Sequence, residues 1–148
     1  RQQKTDKRRQ TKEDRQKTTE DRGQLKKHNF RKLQIYQRAV EYAVEIYKLS
    51  KLFPKEELYG LTSQIRRAVI SIALNIAEGS GNSSVKEFRR FLEIALRSTY
   101  EVTACLEIVL KLNYCDKEAF SRLAAEADEI AAMISGFSKS LTQTTEDR

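Results

Sequence analysis

Histidine, proline and glycine are the scarce residues of this 148-residue chain, and each scarcity excludes something. The sole histidine, His28, stands at the edge of a polar N-terminal stretch. A Ser-His-Asp triad or a histidine-ligated metal centre therefore has no histidine to build on. One proline and five glycines leave long windows without a helix breaker. Alternation of the β kind is rare, so a sheet fold is not expected. No apolar run approaches the ~20 residues of a membrane span, and nothing resembles a signal peptide. The two cysteines, Cys105 and Cys115, have neither metal nor redox spacing. Cys105 falls among Val102, Leu106 and Val109 and reads as a small core hydrophobe. Cys115 adjoins a helix start, where a thiolate is somewhat favoured, but it reads as a plain structural cysteine. With no disulfide framework and no membrane segment, a reducing, cytoplasmic setting is expected.

Charge is present in quantity but unevenly placed. Residues 1–32 hold 13 Lys/Arg against 5 Asp/Glu, a net of +8. Residues 33–148 hold 15 against 16, a net of −1, which together make the overall +7. The basic balance thus resides in a repetitive segment (TDKRR, TKEDR, KTTEDR) whose last unit nearly recurs as QTTEDR at the other end. With almost no apolar surface to offset ordering entropy, residues 1–28 and 142–148 are expected to be disordered tails. The basic segment is open to two readings: an arm that contacts phosphates without sequence preference, or a solvated charge run, or even translated flanking sequence.

The remaining 29–141 is long enough to bury a core as one domain. A first helix is predicted from Phe30 to Leu49, ending before Phe53-Pro54. Pro54 can open a second, with Glu56 and Glu57 at its positive end and Gly79 as a left-handed cap. In it, Leu58, Leu61, Ile65, Ala68, Ile72 and Ile76 recur at three- and four-residue steps. Val69, Ile70 and Leu74 add a second apolar surface, more than one core needs, which points to self-association. Ser84-Val85-Lys86-Glu87 is a capping box opening a third helix, which Asn113 can end in a left-handed turn. Asp116 can cap a fourth, in which Phe120, Leu123, Ala127, Ile130, Ile134, Phe137 and Leu141 keep the helical spacing. Four such helices joined by short loops imply an all-α, antiparallel up-down-up-down bundle.

Polar residues interrupt these faces in two places. Arg67, Ser71, Asn75 and Glu78 share one line on the second helix. Such groups need partners, since desolvating each unpaired costs a few kcal/mol. The line reads as a hydrogen-bonded stripe fixing register between helices or subunits, bridging to Arg90, Arg97 or Glu101, or else as a ligand contact. Arg66, Arg67, Arg89 and Arg90 are the paired arginines of the folded part and, with Lys86, its candidate phosphate contacts. They form a basic patch if they converge on the 79–84 turn. That turn, GSGNSS, lacks the lysine-serine/threonine ending of a P-loop. Ribonucleases of the HEPN type, which set an arginine and a histidine on one helix, are excluded because no predicted core helix holds a histidine.

The blocks FPKEELYGLTSQIRRA, SIALNIAEGSG and KEFRRFLEIAL, with the S-x-x-E of Ser98–Glu101, resemble the four-helix-bundle family of 23S rRNA intervening-sequence proteins. These proteins are encoded within insertions in bacterial 23S rRNA genes. The resemblance runs from about Asn29 to Phe137, beginning with HNFRKLQIYQRA. The chain departs from the family at Ala73, where a proline is common, at Arg97 and Asn113, where glycine is, and at Thr103, where a glutamate is. The resemblance implies a homopentameric ring, no cofactor and no established enzymatic activity. A related branch, the accessory variability determinant of diversity-generating retroelements, binds nucleic acid and partners a reverse transcriptase. The expected function is therefore non-enzymatic: an oligomeric bundle that binds rRNA or another nucleic acid. The alternative is a protein–protein accessory factor of a reverse transcriptase.

Overall fold

The computed structural model describes residues 29–82 and 84–146, with side chains described as far as Thr142. The polar segment 1–28 lies outside the described residues. Among those described there are four α-helices and no strand: α1 (Gln34–Ser50), α2 (Leu61–Ser80), α3 (Val85–Lys111) and α4 (Lys117–Glu146). None is long and apolar enough to cross a membrane. The last helix continues past Leu141, where the sequence pattern of apolar residues stops.

The helix starts follow their local chemistry, with two differences from the sequence prediction. Asn29 accepts the amide of Arg31 and organises a 3-10 turn over Phe30–Lys32. Leu33 is then extended (φ −71°, ψ 124°), so α1 begins at Gln34 rather than Phe30. Pro54 does not open the second helix. It is followed by a single 3-10 turn, Lys55–Glu57, and α2 starts only at Leu61. The reason is Glu57, whose carboxylate accepts the Leu61 amide at 3.2 Å and the Tyr114 hydroxyl at 3.1 Å. It caps α2 from outside the helix and ties it to the α3–α4 loop.

Gly79 is likewise not a left-handed cap. No described glycine has a positive φ, and Gly79 is a buried residue within α2. A Cβ there would stand 2.7 Å from Phe91 Cβ and 2.8 Å from Phe88 Cδ2. Its missing side chain lets α3 approach. Elsewhere the predicted caps are present. Ser84 Oγ accepts the Glu87 amide at 3.3 Å, although the Glu87 carboxylate turns to Arg90 instead of closing the box. Asn113 has φ 58°, and Asp116 Oδ1 accepts the Ala119 amide at 2.7 Å.

Each helix packs on two others, α1 and α3 both lying against α2 and α4. Ile35, Ala39, Tyr42, Ile46 and Leu49 are the buried face of α1, and Ile65, Ala68, Val69, Ile72 and Ile76 that of α2. Phe88, Leu92, Val102, Leu106 and Val109 face them from α3, with Leu123, Ala127, Ile130 and Ile134 from α4. Burial at about 1.5–3 kcal/mol per large side chain is what holds the four together. The cross-helix pairs run in descending register. Gln64 bonds Glu101 and Ser71 meets Ser98 between α2 and α3, while Arg38 reaches Glu126 and Glu129, and Tyr42 the Leu123 carbonyl, between α1 and α4.

Candidate nucleic-acid interface

The seam that carries Phe88 on α3 and Phe137 on α4 brings these rings edge-to-face, 5.5 Å apart. That contact sets the first turns of α3 beside the later turns of α4, and an open cleft of about 740 Å³ lies between them. Its lining includes Lys86, Arg89 and Arg90 from α3 and Lys139 from α4, together with the acids Glu87 and Glu93.

The charges of this cleft do not cancel. Arg90 bonds Glu87 through Nε and Nη2, both at 3.1 Å, and its guanidinium lies 4.6 Å from the Phe91 ring centroid. Glu93 is held by Arg97 Nη2 at 2.8 Å. Both carboxylates are thus engaged by arginines of their own helix, at the three- and four-residue spacings where helical neighbours meet. Lys86, Arg89 and Lys139 are exposed and form no ion pair among the described residues. The excess is positive, and an anion is what it can hold.

The structure separates the five predicted phosphate contacts. Lys86, Arg89 and Arg90 share the cleft. Arg66 lies elsewhere: its Nε donates to Ser50 Oγ at 2.8 Å and its guanidinium stacks 4.8 Å from the Tyr47 ring, so it fastens α2 to α1. Arg67 is exposed at the Gln64–Glu101 level of the α2–α3 pair. From there to Gly79, beside Phe88 and Phe91, is ~18 Å along one helix. Arg66 and Arg67 therefore do not converge with Arg89 and Arg90 on the 79–84 turn. Lys139 was not singled out by the sequence, because it is a lone cation far along α4. The signal available was that Phe88 and Phe137 both belong to core-facing seams.

The polar line on α2 divides in two. Asn75 Nδ2 donates to the Ser71 carbonyl (2.8 Å) and Oγ (3.0 Å), and Ser98 Oγ stands 2.9 Å from Ser71 Oγ. These three residues occupy the α2–α3 seam. Arg67 and Glu78 are exposed, and the Glu78 carbonyl accepts Asn82 Nδ2. The partner across the seam is Ser98; Arg90, Arg97 and Glu101 bond Glu87, Glu93 and Gln64 instead. Of the second apolar surface on α2, Val69 enters the core, Ile70 is half-buried and Leu74 is 61% exposed.

Titration behaviour elsewhere is structural. Hydrogen bonds to Glu129 and Glu126 raise the Arg38 guanidinium above its ordinary value, and Arg38 in turn holds the Glu129 carboxyl below its own. Burial pushes the Tyr42 hydroxyl up, with Glu126 and Asp128 adding to it. Burial also raises the Cys115 thiol, and Asp116 raises it further. The pull of the helix start towards a thiolate is outweighed by partial burial and a neighbouring carboxylate, in keeping with a structural cysteine. Cys105, buried as expected, is raised by burial and then by Glu101.

Comparison with known proteins places this geometry among relatives. The family model of the 23S rRNA-intervening sequence proteins matches residues 31–136. Among solved structures, the chain is similar to a protein of unknown function from the S23 ribosomal protein family of Bacteroides thetaiotaomicron. The two are 26% identical with a TM-score of 0.67, over 71% of this chain and 98% of that one. No curated protein matches the sequence.

Proposed function

This chain belongs to the family of 23S rRNA-intervening sequence proteins, and from that premise we propose that it is a self-associating four-helix bundle that binds RNA without catalysing a reaction. The observation that carries the reading is the cleft in which Lys86, Arg89 and Lys139 gather unpaired while the neighbouring acids are neutralised. Uncompensated lysine and arginine on a near-neutral bundle favour phosphate oxygens, and the family name directs the choice of polyanion to ribosomal RNA.

The architecture serves this role as an antiparallel up-down-up-down bundle, a topology supported by the descending pairs Gln64–Glu101, Ser71–Ser98 and Tyr42–Leu123. Ser71, Asn75 and Ser98 hold the register of the α2–α3 pair. Self-association uses the outward side of α2, where Ile70 and Leu74 are left over by the core. Five copies in a ring, as the family resemblance implies, would close such a head-to-tail contact.

Filter binding of the full chain to 23S rRNA fragments tests the reading. Replacing Lys86, Arg89 and Lys139 together by alanine should weaken retention at least about tenfold, because charge-assisted bonds contribute more than neutral ones. Equal retention by the triple variant and the parent, or no retention by either, would contradict it.

A further inference from the structure

We propose that the α3–α4 cleft is a pocket for a phosphomonoester on a nucleoside-sized body, supplied either as a free nucleotide or as the phosphorylated end of an RNA strand. This rests on the reading of the cleft as a phosphate site and specifies which phosphate it takes. At about 740 Å³ the open cleft has room for a nucleotide-sized molecule. It is also divided chemically. Half-buried Val85 and Leu96 supply an apolar lining over the buried Leu92 and Ile134, while the exposed Lys86, Arg89 and Lys139 supply charge. A ligand with an apolar face and a compact anionic end matches that division.

Charge stoichiometry favours a monoester over an internal diester. A diester carries one negative charge, whereas a terminal phosphate carries close to two at pH 7 and offers three acceptor oxygens. Three cations with no ion pair among the described residues line this cleft from two helices. Ser135 and Ser138, on the same lining, make no side-chain hydrogen bond among the described residues and are available as donors. Arg97, not itself part of the lining, acts as a positioning residue. It holds Glu93, which stands four residues from Arg89 and would otherwise pair with it.

The test uses the full chain and four probes: adenosine 5′-monophosphate, adenosine, and one oligoribonucleotide with either a 5′-phosphate or a 5′-hydroxyl. The phosphorylated member of at least one pair should bind about tenfold tighter or more. That preference should vanish in the Lys86→Ala/Lys139→Ala variant, survive in Lys86→Arg/Lys139→Arg, and fall several-fold in Arg97→Ala, with thermal unfolding showing each variant folded. It should also grow between about pH 5.5 and about pH 7.5 as the monoester gains its second charge near ~6. Among the described residues, the charged groups around the pocket (Lys86, Glu87, Arg89, Arg90, Glu93 and Lys139) include no histidine to titrate in that range. Preference in the mononucleotide pair alone identifies a free nucleotide, and preference in the oligonucleotide pair alone a strand end. Equal binding within both pairs, a pH-independent preference, or no binding by any probe would overturn the proposal. RNA binding with no phosphate preference in either pair removes this proposal and leaves the RNA-binding role standing. Mononucleotide binding without RNA retention does the reverse.

Discussion

Arg38 illustrates how single residues clamp the helices of this bundle together at its surface. Its guanidinium spans Glu126 and Glu129 of α4 at 2.8 and 2.9 Å and so clamps α1 to α4. Because Arg38 holds the Glu129 carboxyl below the ordinary glutamate range in the folded state, its contribution is present above that range and lost as pH falls through the lowered folded value. Chemical denaturation should therefore find Arg38→Gln less stable than the parent at pH 7, with the difference shrinking under acid. A difference that grew on acidification would contradict the clamp. Tyr42, buried, donates to the Leu123 carbonyl at 2.9 Å. Tyr42→Phe should cost ~0.5–1.5 kcal/mol in urea unfolding, the net worth of a buried hydrogen bond. At this scale the sequence was only partly legible. Adjacent arginines are visible in a sequence, but that Arg66 is occupied by Ser50 and Tyr47, and that Lys139 joins Lys86 and Arg89, depends on tertiary packing.

Helix elements are set by local chemistry until a tertiary partner intervenes. Ser84, Asn113 and Asp116 act where their side chains predict, because a cap needs only its own neighbours. The apolar spacing likewise found the buried faces of α2 and α4, except for Leu58, which lies before α2 and is exposed. Prediction failed at Pro54 and Gly79, where the deciding atoms come from elsewhere: Glu57 bonding both Leu61 and Tyr114, and two phenylalanines crowding a glycine. Gly79→Ala separates the opposing effects. Alanine favours the helix by ~1 kcal/mol. Overpacking against ring and Cβ atoms at 2.7–2.8 Å costs ~1–3 kcal/mol. Since Phe88 is buried and cannot swing away, the crowding should win, and thermal unfolding should show a net loss of about 1–2 kcal/mol. A stabilised variant would mean that α2 and α3 separate more easily than this packing allows.

For the whole molecule, the expectation of a doubly apolar second helix resolves into two surfaces. Val69 completes the core, whereas Leu74 stays outside it. Leu74→Lys should change the stability of a single bundle by no more than ~0.5 kcal/mol, as an exposed substitution does. Its effect belongs to assembly, and light scattering should show the parent as an oligomer and the variant shifted towards one chain. A monomeric parent would remove self-association from the account.

RNA binding through unpaired cations is the central claim, and the salt dependence of rRNA binding by the full chain tests it most directly. The logarithm of affinity should fall linearly with the logarithm of salt concentration. Alanine at Lys86 and Arg89 should flatten that line by ~0.7–0.9 for each phosphate contact removed. A slope unchanged by the two substitutions, or an affinity indifferent to salt, would contradict the claim.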